Sequence, residues 1–253
     1  MPSHPLPRSP GSRAPLVLAR GPAAGRPSGA RGAAAGARGF TFIEILIVMG
    51  IISVLVGGVV IAIQIWADRG PKMESQNTVT ATQQLIHAWK SKFDAFPPTD
   101  VKDLPKITGY GEPVKGNPNR SNMGIEALVQ ALGYPGFKSD HTWKDTQIGN
   151  TDEDSLDKAI VSSGIKELRE ILDAWQNPLV YINSVDYASS IDDGYTYVLG
   201  GTSEAFMAGD EVTAYPHKDE DGQFRNANTF QIFSMGPDGQ PNTEDDIGNW
   251  QAK

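Results

Sequence analysis

The sequence contains no cysteine, which excludes disulfides and thiolate metal sites alike. Its first 39 positions hold no Asp or Glu, only six unopposed arginines: Arg8, Arg13, Arg20, Arg26, Arg31 and Arg38. Large apolar residues are almost missing there too, outside Pro15–Leu18. A Gly-, Ala-, Pro- and Arg-rich stretch of this kind cannot bury a core, so residues 1–39 are expected to be disordered. Patterns of catalysis are lacking throughout, with no Gly-x-Ser-x-Gly, no phosphate loop and no Ser/His/Asp arrangement. His4, His87, His141 and His217 fall at no metal spacing and read as ordinary surface or core residues. Basic residues are scarce in the remainder. Without the six leading arginines, 16 of the 22 Lys and Arg face 30 Asp and Glu, a formal −14 after Gly39. That balance gives little purchase on phosphates, so no nucleic-acid partner is expected, whereas divalent cations suit it. At 253 residues the chain has room for one domain and its appendages.

What is present, abruptly, is one long apolar run. Ile45–Ile63 carries no charge, and Ser53 is its only hydroxyl. As a helix its roughly 19 residues rise about 28 Å, close to the ~30 Å hydrocarbon core of a bilayer. The run exceeds the ~7–15 residues of a cleaved secretory signal, and Gln64–Asp68 offers no small-x-small site. Residues 40–66 therefore read as a transmembrane helix. The preceding arginines keep the N-terminus cytoplasmic and send residues 67–253 across the membrane.

Helical patterning continues over residues 67–94. Leu85, Trp89 and Phe93 fall at i, i+4 and i+8 with Ile86 beside them, forming an apolar stripe. Gly70-Pro71 is predicted to kink or briefly melt the helix, and Phe96-Pro97-Pro98 to end it. Residues 97–120 look loop-like, Ile125–Leu132 a short helix, and Gly133–Asp154 a polar surface insertion. Leu156–Trp175 is predicted to contain a second helix with Ile165, Leu168, Ile171 and Leu172 on its inner face. Strands are expected at Leu179–Asn183, Tyr195–Leu199 and Thr229–Ser234, punctuated by Asp193-Gly194 and Asp221-Gly222 turns. A long helix on a small antiparallel sheet is an α+β arrangement. Trp89, Trp143 and Trp175 are read as core or loop anchors. Asp152-Glu153-Asp154 and Asp219-Glu220-Asp221 are read as solvated turns, with a second cation site as the lesser alternative.

The most informative residues are Arg38-Gly39-Phe40-Thr41-Phe42-Ile43-Glu44-Ile45-Leu46-Ile47-Val48. Glycine leaves a protease access to the backbone, and a charge-free helix follows with one carboxylate just inside its start. An acid at the centre of a membrane helix costs ~2.5–3.5 kcal/mol, less near the end, so Glu44 asks for a function. The segment closely resembles the class III signal of type IV pilins and type II secretion pseudopilins. That resemblance implies cleavage by prepilin peptidase between Gly39 and Phe40, N-methylation of Phe40, and a role for Glu44, the fifth mature residue, in filament assembly. The amine created at Phe40 is one that a neighbouring subunit's Glu44 can neutralise. Such a pair ~4 Å apart is worth ~4 kcal/mol at an effective dielectric near 20, against which desolvation works. Gly50, Gly57 and Gly58 would let neighbouring helices approach closely. At 39 residues the leader is long for the family.

A second motif lies near the C-terminus, where the strand Phe230–Ser234 leads through Met235-Gly236-Pro237-Asp238-Gly239 to Asn242-Thr243-Glu244-Asp245-Asp246-Ile247-Gly248-Asn249-Trp250. Calcium takes six to eight oxygens from carboxylates and carbonyls in a flexible loop. Asp238, Asp245 and Asp246 could supply charge, with carbonyls near Met235 and Asn242. The ladder of an EF-hand is missing. Spacing alone leaves a cation site and a solvated acidic turn both open. Ser-x-Gly-Pro-Asp-Gly…Asp-Asp-Ile-Gly-Asn-Trp resembles the calcium loop of the major pseudopilin of type II secretion, which implies a structural calcium here. Phe96-Pro97-Pro98-Thr99, Ile125–Val129 and Asp173-Ala174-Trp175-Gln176-Asn177-Pro178 resemble further pieces of that family, the last departing at Ala174 and Gln176. About 99–124 and 133–172 have no counterpart and read as insertions.

The resemblance implies a type IV pilin-like fold: a long N-terminal helix packed on a small antiparallel sheet with a C-terminal calcium loop. It implies a structural protein and not an enzyme: a pseudopilus subunit in the bacterial inner membrane with a periplasmic domain. Its partners would be prepilin peptidase, copies of itself, other pseudopilins, the inner-membrane secretion platform and membrane lipid. Two other readings stand beside it. One is a type IV pilin for adhesion or DNA uptake, which would usually carry a C-terminal disulfide. The other is a membrane-tethered periplasmic domain that never assembles.

Overall fold

The computed structural model describes residues 39–109, 117–137, 139–156, 166–189 and 193–250, without the side chains of 60–62 and 64–68. The expected leader before Gly39, and Ile165, lie outside the described residues. The chain divides into two compact units between Ile52 and Ser53.

Helix α1 runs over Phe42–Phe93. Apart from Glu44 and Ser53 its first stretch is apolar on every side, and it is exposed from Phe42 to Val59. Beyond Pro71 one face is buried, with Ser75, Thr78, Thr82, Ile86 and Trp89 at steps of three and four residues and Val79 beside Thr78. This stripe differs from the expected one, since Leu85 is only half-buried and three of the six positions are hydroxyls. Thr78 and Thr82 each donate to the carbonyl four residues back, so a helix can bury them without orphaning the hydroxyl. The helix does not melt at Gly70-Pro71. Proline removes one rung from the hydrogen-bond ladder, and the turns on both sides keep theirs. Asp94, in the left-handed region at φ 53, ends the helix just before Phe96-Pro97-Pro98, as expected. Pro97 O then accepts from Tyr181 Oη (2.7 Å) and Asn183 Nδ2 (2.9 Å), which docks the helix exit on the sheet.

Two short helices follow, α2 (Leu104–Thr108) and α3 (Met123–Leu132). Helix α2 corrects the loop expected there, and α3 agrees with the expected helix. The strands are β1 (Ile148–Gly149), β2 (Glu170–Ile171), β3 (Val180–Asn183), β4 (Tyr195–Val198), β5 (Glu211–Ala214), β6 (Phe230–Ser234) and β7 (Ile247–Gly248). They form three antiparallel sheets, β1-β2, β3-β6-β7 and β4-β5. The three predicted strands are β3, β4 and β6. Strand β6 is central and buried at all five positions, whereas β5 alternates exposed and buried, the period of a half-covered strand.

Two expectations fail between residues 133 and 175. No helix occupies the described part of 156–175; Leu168, Ile171 and Leu172 are buried through β2 and its flanks. The apolar spacing there also satisfies a short strand, and β2 pairs Ile171 with Ile148. The surface reading of Gly133–Asp154 also fails, because Tyr134 and Phe137, with Leu156 and Leu168, join Val101 and Leu104 around the buried Trp89. Aromatic contacts set that packing, with Trp89 5.4 Å from Phe137 between ring centroids. A second cluster packs Val79 and Ile86 of α1 and Ile125 and Leu128 of α3 against β3 and β6.

Candidate functional site

In the segment expected to be processed, Gly39 has open space where a side chain would stand. Phe40 is 81% exposed. Thr41 precedes the first turn of α1. Its backbone N–H donates to Glu44 Oε2 (2.7 Å), its hydroxyl donates to the same oxygen (2.9 Å), and Glu44 N–H donates to Thr41 Oγ1 (3.3 Å). This reciprocal capping box satisfies amides that a helix start leaves unpaired. It also turns the carboxylate back toward the chain start, the side on which Phe40 lies. The Thr41 contribution is readable in the sequence from the Thr-x-x-Glu spacing, though the anomaly of the acid itself draws attention first. The helix from Phe42 to Val59 is long and apolar enough to cross a membrane.

The C-terminal loop is held by its own hydrogen bonds. Asp238 Oδ1 accepts from Gln240 N–H (2.7 Å). Asn242 closes a two-way bridge to Tyr215, donating Nδ2–H to its carbonyl (2.8 Å) and accepting its N–H at Oδ1 (2.9 Å). The side chain of Asn242 is thus committed, which leaves its carbonyl as the available donor to a cation. Met235 is fully buried at the end of β6. Gly236 follows at φ +70, and a Cβ there would stand 2.6 Å from Asp245 Oδ2, so only glycine admits that carboxylate. Asp245 Oδ1 accepts from the Thr243 hydroxyl.

Asp246 is the buried member, its side chain 1% exposed. Its Oδ2 accepts from Asn242 N–H (2.7 Å) and lies 2.7 Å from His217 Nε2. Its Oδ1 is buried with no partner. Burial pushes its pKa above the ordinary carboxylate value, an effect the His217 contact opposes. The donor chemistry fits a hard cation, and Asp246 Oδ1 is the oxygen such an ion would relieve.

His217 was not expected here. Its imidazole packs edge-on to Phe233 and tilted on Trp250, with centroids 4.7 and 4.4 Å away. Its backbone N–H donates to Gln231 Oε1 (2.6 Å), and Gln231 returns a bond to its carbonyl (2.9 Å). Nothing in the local sequence signals this, because His217 and Asp246 meet only through the sheet. The Asp173–Pro178 turn also reaches the loop. Asp173 Oδ2 accepts from the Ser234 hydroxyl (2.6 Å), and Oδ1 from Trp175 and Asn177 N–H (2.9 and 3.0 Å). Desolvation raises its pKa to about 6.

Residues 35–60 match the prokaryotic N-terminal methylation motif. A second short match, to the Frizzled/Smoothened-like sans CRD N-terminal domain, falls on residues 176–203, a stretch from inside the Asp173–Pro178 turn to just past β4. A fragment of one folded core carries no function with it. No curated protein and no solved structure matches the chain. The α+β architecture, with an apolar N-terminal helix and small antiparallel sheets, fits a pilin-like fold, and the methylation motif supports a type IV pilin-like protein with a single-pass membrane anchor.

Proposed function

We propose that the chain is a structural subunit of a type II secretion pseudopilus. Prepilin peptidase cuts between Gly39 and Phe40, Phe40 is N-methylated, and the product waits in the inner membrane with its folded domain in the periplasm. Assembly then pairs Glu44 of one copy with the Phe40 amine of the next, alongside other pseudopilins and the inner-membrane platform. The filament so formed drives protein export. The observation that carries this reading is the methylation motif over residues 35–60, with the lone acid Glu44 five residues past Gly39 in an otherwise apolar span. Absence of cysteine favours secretion over an adhesive pilus, because no C-terminal disulfide can form. Calcium replaces that staple, with Asp238, Asp245 and Asp246 supplying charge and the carbonyls of Met235 and Asn242 completing the shell.

The test is the protein content of medium and periplasm in a strain lacking the gene. Accumulation in the periplasm of enzymes normally found outside supports the secretion reading. An unchanged medium overturns it, and surface filaments or DNA uptake become the alternatives to assay. Glu44→Ala separates filament subunits from a tethered domain: filaments are lost while the domain still folds.

A further inference from the structure

The strongest unexplained feature lies outside both regions above. Glu126 of α3, Asp152 and Glu170 of β2 each present an oxygen within 4.8 Å of the others. Glu126 and Glu170 are wholly buried. Asp154 lies outside this group but in the same loop as Asp152, and its charge and that of Asp152 act on Glu126. Among the described residues, none of the four carboxylates has an ion pair to Lys, Arg or His.

Partners for these oxygens run short. Glu126 Oε2 accepts from Asn117 Nδ2, Glu170 accepts from Asn122 Nδ2 (3.0 Å) and Thr151 N–H (3.1 Å), and Asp152 Oδ2 accepts from Asn119 Nδ2 (2.8 Å). Glu126 Oε1, Asp152 Oδ1 and both carboxylate oxygens of Asp154 are buried without any partner. Buried polar atoms are nearly always paired, and Glu126 Oε1 and Asp152 Oδ1, orphaned within one carboxylate group, call for a missing cation. Burial and mutual repulsion push Glu126 up to about 10, Glu170 to about 8 and Asp154 to about 7, so the set resists ionising on its own.

Asp152 and Asp154 stand on a loop that Asn150 closes. Asn150 spans its ends, donating to Asp154 O (2.9 Å) and accepting from Asp154 N–H (3.1 Å).

We propose that Glu126, Asp152 and Glu170, with the charge of Asp154 beside them, bind a divalent cation of the calcium class, which ties the 150–154 loop to α3 and β2. The site is separate from the C-terminal loop and independent of how the filament is used. With only oxygen donors and no thiolate or imidazole, it selects a hard ion over zinc or copper.

The experiment uses the processed full-length chain in detergent, stripped with chelator and dialysed against Ca²⁺, with bound calcium measured by elemental analysis. Asp238→Asn/Asp245→Asn/Asp246→Asn removes the charges of the C-terminal loop, and this variant is expected to retain one calcium per chain. Adding Glu126→Gln/Glu170→Gln is expected to abolish it. Glu126→Gln/Glu170→Gln alone is expected to melt in chelator no lower than the wild type while losing most of the calcium-induced rise at this site. Should that variant fail to fold, Asp152→Asn/Asp154→Asn, confined to the loop, is expected to lose one calcium. A loop-neutralised chain that binds no calcium overturns the proposal, as does a cluster variant that binds as much as the wild type. Whether the wild type holds one more ion than the loop-neutralised chain reports separately on the C-terminal loop.

Discussion

Two acidic regions of this molecule invite the same reading and are built in opposite ways. The C-terminal loop is a contiguous run whose carboxylates are satisfied mostly by near neighbours, Asp238 by Gln240, Asp245 by Thr243 and Asp246 by Asn242. The other set, Glu126, Asp152, Asp154 and Glu170, comes from three separate segments and leaves four buried oxygens unpaired. Adjacency in sequence makes acids conspicuous, yet it also lets them share local amides. Convergence through the fold is inconspicuous and leaves them short of partners, which is the condition a cation relieves.

The comparison breaks most visibly at Gly124, which brings α3 against β3. A Cβ there would stand 1.9 Å from Tyr181 O, so Gly124→Ala must shift the helix that carries Glu126. A loss of about 3 kcal/mol is expected by analogy with overpacked cores, read by thermal unfolding. Calcium bound by the buried set should fall with it.

Asp173 joins the two regions, three residues beyond Glu170 in sequence and bonded to Ser234 at the entrance of the C-terminal loop. Its native pKa of about 6 lies above the 3.8 of a free side chain, so the folded state holds a proton that the unfolded chain releases. Its contribution is therefore complete below pH ~4 and disappears as pH rises through 6, about 3 kcal/mol in all. Asp173→Asn keeps an acceptor for both amides and can donate to Ser234 Oγ. Subtracting its stability curve from that of the wild type should expose this slope between pH ~4 and ~6; a flat difference refutes the assignment.

A smaller effect is expected at His217. His217→Ala strips Asp246 of one partner and should cost about 2 kcal/mol in chelator. Saturating calcium should shrink the loss if an ion takes over that carboxylate, and an equal loss with and without calcium counts against the loop as a metal site. The smallest change is Asp238→Asn, within about 0.5 kcal/mol in chelator, because the side chain is half-exposed and asparagine still accepts from Gln240.

Much of the fold was legible because its signals are local. The apolar run, the Phe96-Pro97-Pro98 stop, α3 and the strands β3, β4 and β6 each state their structure within a few residues. The misses share a cause. Thr78 and Thr82 do not look like a helix's inner face, and Leu168 and Ile171 suit helix and strand equally. Tyr134 and Phe137 sit in a Gly- and Pro-rich turn that gave no hint of Trp89 as their destination. At the candidate sites, Glu44 was conspicuous because no tertiary contact is needed to make an acid in an apolar span anomalous.

By itself, then, the sequence determined an apolar helix long enough to cross a membrane, the N-terminal methylation motif around it with its lone Glu44, and the secondary structure that short-range sterics and hydrophobic periodicity dictate. Only the tertiary structure decided that His217 meets Asp246, that Tyr134 and Phe137 complete a core, and that Glu126, Asp152 and Glu170 come together from distant segments. Burial is the physical reason. Whether a carboxylate is a harmless surface charge or half of a metal site depends on the water it has lost, and that is set by elements distant in the chain.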